Sequence, residues 1–150
     1  MDDTFFLKEA LKRAKKAEKS DEVPIGCVIV KDNKVLSSGY NKREGAKDAT
    51  AHAEILAIKK ACKKLKSWRL ESCVLYVTLQ PCTMCFGAIL NARIKKVVYG
   101  AKDISCAYDT DKINLNHRAE FVYLENFECA KILSDYFANK RIVKNTGDYK

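Results

Sequence analysis

No stretch of this chain approaches the roughly 18 consecutive apolar residues that a membrane-spanning helix requires, so no spanning segment and no membrane partner are expected. The start, Met1-Asp2-Asp3-Thr4, is acidic and lacks the basic-then-apolar shape of a secretion signal, which makes a cytoplasmic location the expectation. No internal repeat, linker or low-complexity tract interrupts the 150 residues, and one domain over 1–150 is expected. The seven cysteines are odd in number and come without a signal peptide, which argues against a disulfide framework. Apolar residues make up 47% of the chain, enough for a real core. Lys and Arg number 28 against 19 Asp and Glu, a net charge of +9. That excess fits a solvated Lys-rich surface, and it also fits a polyanionic partner such as nucleic acid.

The chemistry is concentrated between residues 52 and 85. His52-Ala53-Glu54 is followed, a strand's length later, by Pro81-Cys82-Thr83-Met84-Cys85. His52, Cys82 and Cys85 offer one imidazole and two thiols, one ligand short of the four that tetrahedral zinc takes. An open fourth position favours a catalytic over a structural zinc site, and Glu54 adds a carboxylate able to carry protons. Each half of the pattern is weak alone, since C-x-x-C also serves redox pairs. Of the remaining cysteines, Cys27, Cys62, Cys73 and Cys129 read as reduced, small, mostly buried residues. Cys106 is the one to watch as a fourth ligand or reactive thiol. His117, the second histidine, reads as structural.

Residues 5–19 place Leu7, Leu11 and Ala14 on one helix face, with Asp2, Asp3 or Thr4 as cap. Two strands, 25–31 and 34–39, flank Asp32-Asn33 in a hairpin pattern, and a polar loop over 41–50 follows. A helix beginning at His52 carries Ile55, Leu56, Ile58, Ala61, Cys62 and Leu65 as its expected buried side, with Thr50 or Asp48 as cap. Residues 73–79 read as a strand buried on both faces, 82–93 as a helix, 95–99 as a strand, 101–118 as loop, 121–124 as a strand and 127–143 as a helix with Ile132, Leu133, Tyr136 and Phe137 apolar. This order predicts an α/β fold in three layers, one mixed sheet of about five strands with helices on both faces. His52, Cys82 and Cys85 then sit at helix starts, where the positive dipole ends favour thiolate.

The paired H-x-E and P-C-x-x-C motifs are similar to those of zinc-dependent nucleobase deaminases. Over nearly its whole length the chain resembles the bacterial tRNA adenosine deaminases, the TadA family of the cytidine-deaminase-like superfamily. The resemblance rests on Glu22-Val23-Pro24-Ile25-Gly26, Gly39-Tyr40-Asn41, Thr50-Ala51-His52-Ala53-Glu54, Leu75-Tyr76-Val77-Thr78-Leu79, Pro81-Cys82, Val97-Val98-Tyr99-Gly100-Ala101, Asn116-His117-Arg118 and Leu133-Ser134-Asp135-Tyr136-Phe137. It implies one zinc ion on His52, Cys82 and Cys85, and proton transfer by Glu54. It also implies substrate contacts by Asn41, Pro24, Ile25 and Ala53, with Phe137 near a bound RNA loop. The implied activity is hydrolysis of adenosine to inosine at the wobble position of a tRNA anticodon, by a homodimer. Lys42-Arg43 and Lys140-Arg141 are candidate phosphate contacts.

The chain departs from the family pattern at Ala49, where proline is usual, and at Gln80, where glutamate is usual. Residues 104–115 form a shorter, polar, glycine-free stretch in place of a small-residue, glycine-rich loop. Two alternatives stay open on the sequence: a metabolic deaminase of a free base or nucleotide such as cytosine, guanine or dCMP, and a non-catalytic zinc-stabilised RNA-binding subunit.

Overall fold

Apolar residues at helical spacing near the start become α1 (Asp3–Lys19), which buries Phe6, Leu7, Ala10, Leu11, Ala14 and Ala17. Asp2 is its cap, accepting from the Phe5 amide at 2.9 Å. The computed structural model describes residues 1–106, 108 and 117–146. A hairpin follows, β1 (Gly26–Lys31) and β2 (Lys34–Tyr40), turned by Asp32 and Asn33 with φ of 51° and 61°. Positive φ at both central residues is what the favoured two-residue hairpin turn demands. Then come α2 (Arg43–Ala46), α3 (Ala53–Leu65), β3 (Cys73–Val77), α4 (Thr83–Asn91), β4 (Lys96–Tyr99), β5 (Glu120–Tyr123) and α5 (Phe127–Thr146).

The strands form one mixed sheet in the order β2-β1-β3-β4-β5. β1 is antiparallel to both neighbours, whereas β3, β4 and β5 run parallel. Alternation along each strand supplies two apolar faces. Cys27, Ile29, Leu75, Val77 and Val97 face Ala53, Ala57 and Ala61 of α3 and Ile89 of α4. Val28, Val30, Tyr76 and Val98 face Phe6 and Ala10 of α1, and Leu7 and Leu11 of α1 meet Cys129 of α5. The expected three-layer α/β/α architecture is therefore the observed one.

Three local expectations are corrected. The buried face of α3 is Ala53, Glu54, Ala57 and Ala61, while Ile55, Leu56, Ile58, Cys62 and Leu65 are half-buried along its flanks. Small residues are needed there because α3 lies almost on β2. A Cβ on Gly39 would meet the Ala53 carbonyl oxygen at 2.4 Å, and the Ser37 hydroxyl donates to the Ala57 carbonyl at 2.8 Å. Second, neither Thr50 nor Asp48 caps α3; Asp48 accepts from Thr50, and the N-cap position is His52. Third, the segment expected as polar loop contains α2. Its start is held by Glu22, buried at the end of the α1–β1 connection, which accepts from the amides of Glu44 and Gly45 at 3.0 and 2.7 Å.

The free edge of β2 is also occupied. Lys60 and Lys64, one helical turn apart on α3, donate to the carbonyls of Ser38 and Leu36 at 3.1 and 2.7 Å. Among the described residues no helix is long and apolar enough to cross a membrane.

Candidate active site

Both halves of the motif pair sit where a layer of helices begins. His52 is the N-cap of α3 and Cys82 the N-cap of α4, and neither side chain makes a capping bond. Cys85 lies one turn into α4 and is fully buried. The antiparallel β1–β3 pairing brings the two helix starts over the same sheet edge: Cys27 pairs with Val77, and the Thr78 amide donates to the Gly26 carbonyl. His52 Nδ1 lies 3.6 Å from each of the two sulfurs, Cys82 Sγ and Cys85 Sγ. A tetrahedral ion with a Zn–N bond of about 2.0–2.1 Å and Zn–S bonds of about 2.3 Å sets N···S edges of about 3.6 Å. The donor set and its spacing thus fit such an ion. Among the described residues, this trio is the group of ligating side chains close enough to hold a metal. Cys106 is outside it; its thiol faces the Pro81 carbonyl at 3.5 Å. His117 is also outside it.

Burial tunes these candidate ligands. It holds the His52 imidazole below its ordinary pKa, with the Arg43 guanidinium pushing the same way, which leaves a neutral ring with a free lone pair. It pushes the Cys85 thiol far up, reinforced by Glu54 and Cys82, so a proton leaves that sulfur only in exchange for a cation.

Glu54 is 4% exposed, an unusual place for a carboxylate in the first turn of a helix. It stands against Cys85, within hydrogen-bonding reach, and near Cys27 on the sheet below. Burial raises its pKa to about 7, against the opposing pull of its own backbone amide and of Cys85. A carboxyl poised there accepts and returns a proton near neutral pH.

The other expected contacts divide. Asn41 is buried; its amide donates to the Ile25 carbonyl at 3.2 Å and its Oδ1 accepts from the Arg43 amide at 3.3 Å. Pro24 and Ala53 are buried and Ile25 half-buried, all at the edge where β1 begins and α3 starts. Phe137 is 45% exposed on α5, beside Tyr136. Of the basic pairs, Lys42 lies over the Tyr40 ring, and Lys140 is engaged by Asp21 at 2.7 Å.

Sequence reading missed how the segment after Gly100 meets the ligands. Gln80, at the position where the family pattern has glutamate, accepts from the Asp103 amide and donates its own amide to the Ala101 carbonyl. The Tyr108 hydroxyl donates to the Pro81 carbonyl at 2.5 Å, and its ring stacks on Phe86 of α4 at 4.2 Å. Residues 107 and 109–116, including most of the glycine-free stretch and Asn116, lie outside the described residues.

A family model for the MafB19-like deaminase matches residues 1–141. A tRNA-specific adenosine deaminase of Bacillus subtilis is 46% identical over 147 residues, covering 93% of this chain and 91% of that protein. A solved structure from biochemical and structural studies of A-to-I editing by tRNA:A34 deaminases shares 39% identity with a TM-score of 0.76, over 81% of this chain and 98% of that one. A guanine deaminase from Bacillus subtilis shares 35% identity with a TM-score of 0.67, over 94% of this chain and 95% of that one.

Proposed function

The chain belongs to the MafB19-like deaminase family, and from that premise we propose that it is a hydrolytic tRNA-specific adenosine deaminase forming inosine at the wobble position of an anticodon. The observation that carries this is a buried carboxylate, Glu54, set against a His52/Cys82/Cys85 trio with zinc spacing. A structural metal site has no use for such a carboxylate, which disfavours the non-catalytic reading. Among solved structures, the identity to the tRNA:A34 deaminase, 39%, exceeds that to the guanine deaminase, 35%.

His52, Cys82 and Cys85 would hold the zinc, one ion per chain. Bound there, zinc supplies Lewis-acid activation of water, whose pKa it lowers to about 7. Glu54 would carry the two protons of the attacking water in turn, one to the ring nitrogen and one to the departing amine. The net reaction replaces the C6–N bond of adenine by C6–O and releases ammonia. Asn41, held rigid by Ile25 and Arg43 on either side, offers donor and acceptor atoms to the base edge or ribose. Pro24, Ile25 and Ala53 supply apolar wall and exclude water. Phe137 and the basic residues Lys42, Arg43 and Arg141 contact the RNA loop, whose unpaired bases are extruded at lower cost than those of a duplex.

We read 1–150 as one deaminase domain acting in the cytoplasm. Self-association as a homodimer belongs to the same reading. The experiment is incubation of zinc-loaded protein with an unmodified anticodon stem-loop and, separately, with guanine and with cytosine. Inosine in the stem-loop and no turnover of either base is the expected result. Efficient turnover of guanine without any inosine would replace this reading by that of a free-base deaminase.

A further inference from the structure

The pairing of the strands sets Cys27, Val77, Tyr99 and Tyr123 in one row across the sheet. Cys27 in this row, itself paired with Gly39 of β2, lies beside Glu54. Tyr99 packs on the core beneath α3 and α4, and Tyr123 shares that face, since the two rings stack with centroids 5.5 Å apart and planes 26° apart. Exposure rises along it: Cys27 and Val77 are fully buried, Tyr99 is half-buried, and Tyr123 is 39% exposed. Two strand spacings, about 10 Å, separate the backbone of Val77 from that of Tyr123. Above the outer ring Lys102 places its ammonium 4.8 Å from the Tyr123 centroid. Lys102 is held on both sides by the residue before the ligand-bearing Pro81-Cys82, because Gln80 bonds the backbone of Ala101 and of Asp103.

A cross-strand aromatic pair accounts for the packing of Tyr99, but not for an exposed phenol ring under a cation two strands from the end of β3 that leads into Pro81-Cys82. We propose that Tyr123, stacked on Tyr99 and with Lys102 over its ring, is a stacking platform for the base next to the target adenosine, reached when Lys102 leaves the ring for the adjoining phosphate. Aromatic rings bind unpaired bases by stacking without reading their identity, and a neighbouring cation adds the phosphate term. The proposal rests on RNA being the substrate and specifies where the strand leaves the pocket.

The test is equilibrium binding of labelled anticodon stem-loops to the zinc-loaded protein. The loops are intact, or carry an abasic residue on the 5′ or the 3′ side of the target. Tyr123→Ala should weaken binding of the intact loop about tenfold or more, the effect expected for one lost base stack. Tyr123→Phe should bind like wild type. One abasic loop should bind wild type as weakly as the intact loop binds Tyr123→Ala, and on that loop the two proteins should be equal. Lys102→Ala should flatten the salt dependence by about one phosphate contact. Equal binding of the intact loop by wild type and Tyr123→Ala overturns the platform, as does a Tyr123→Ala effect that persists undiminished on both abasic loops. Melting temperatures confirm that each variant is folded, and the wild-type abasic comparison needs no variant at all. Inosine formation by wild type on the intact loop tests the activity separately: turnover with no Tyr123 effect sinks the platform alone, and absence of both binding and turnover sinks both.

Discussion

The start of α1 and the starts of α3 and α4 solve the same problem in opposite ways. Each helix begins with backbone amides that no residue within the helix can satisfy. At α1 Asp2 spends its side chain on the Phe5 amide. At α3 and α4 the N-cap positions hold His52 and Cys82, whose side chains make no such bond and turn toward each other and toward Cys85. A cap bond is worth roughly 1 kcal/mol, so these two helices forgo stability that α1 keeps. Residues that break the capping rule side by side in space mark the site.

The contrast can be broken hardest at Glu54. Glu54→Ala should lower the deamination rate by about 10²–10⁴-fold, the usual contribution of a general acid–base group, with zinc content by metal analysis unchanged; loss of metal along with activity would make Glu54 a ligand. Cys85→Ala should weaken zinc binding by more than about 100-fold, beyond the loss for a mere outer partner, and lower the melting temperature. Full zinc occupancy in that variant contradicts its place in the trio. His52→Ser sharpens the comparison, since it installs an ordinary cap where a ligand stood. Metal-free, it should be up to about 1 kcal/mol more stable than metal-free wild type in denaturant titration, while losing activity. A less stable metal-free variant would show that His52 contributes to α3 by itself. Asp2→Ala at α1 should cost about 0.5–2 kcal/mol with kcat unchanged, and a change in kcat would couple α1 to the site.

The smallest effect concerns acid. Asp3 accepts from the Tyr76 hydroxyl at 2.6 Å and pairs with Lys96 at 3.1 Å, and these partners, Tyr76 first, hold its carboxyl below the ordinary value. Its folded pKa is below its unfolded one, so ionised Asp3 stabilises the fold above the ordinary carboxylate range. That share is lost as pH falls through the folded value. With 37% of its side chain exposed, screening keeps the share small. Asp3→Asn should make the melting temperature fall less steeply below about pH 4; an identical acid slope would remove Asp3 from the account.

What the sequence made legible was whatever depends on short-range pattern. The Asp32-Asn33 hairpin, the doubly buried β3, the buried Cys27, Cys73 and Cys129, and the meeting of His52, Cys82 and Cys85 all follow from residues close in sequence or from a pair of motifs. What stayed hidden depends on contacts across the fold. Hydropathy favoured Ile55 and Leu56 as the core side of α3, yet the residues it buries are Ala53, Glu54, Ala57 and Ala61, on a helix that lies close against β2 at Gly39. No local signal marks α2, because its amides are satisfied by Glu22, more than 20 positions away. The platform at Tyr123 is invisible until β5 is paired in register with β4.

The lysine hooks on β2 bear on how copies of this chain meet. An exposed strand edge is a template on which another strand can grow, and this is how sheets join into aggregates. Here a newcomer would first have to pull the Lys60 and Lys64 ammoniums off the Ser38 and Leu36 carbonyls. The sheet is thereby closed to extension at the β2 side, which leaves β5 as the edge where another strand could still add.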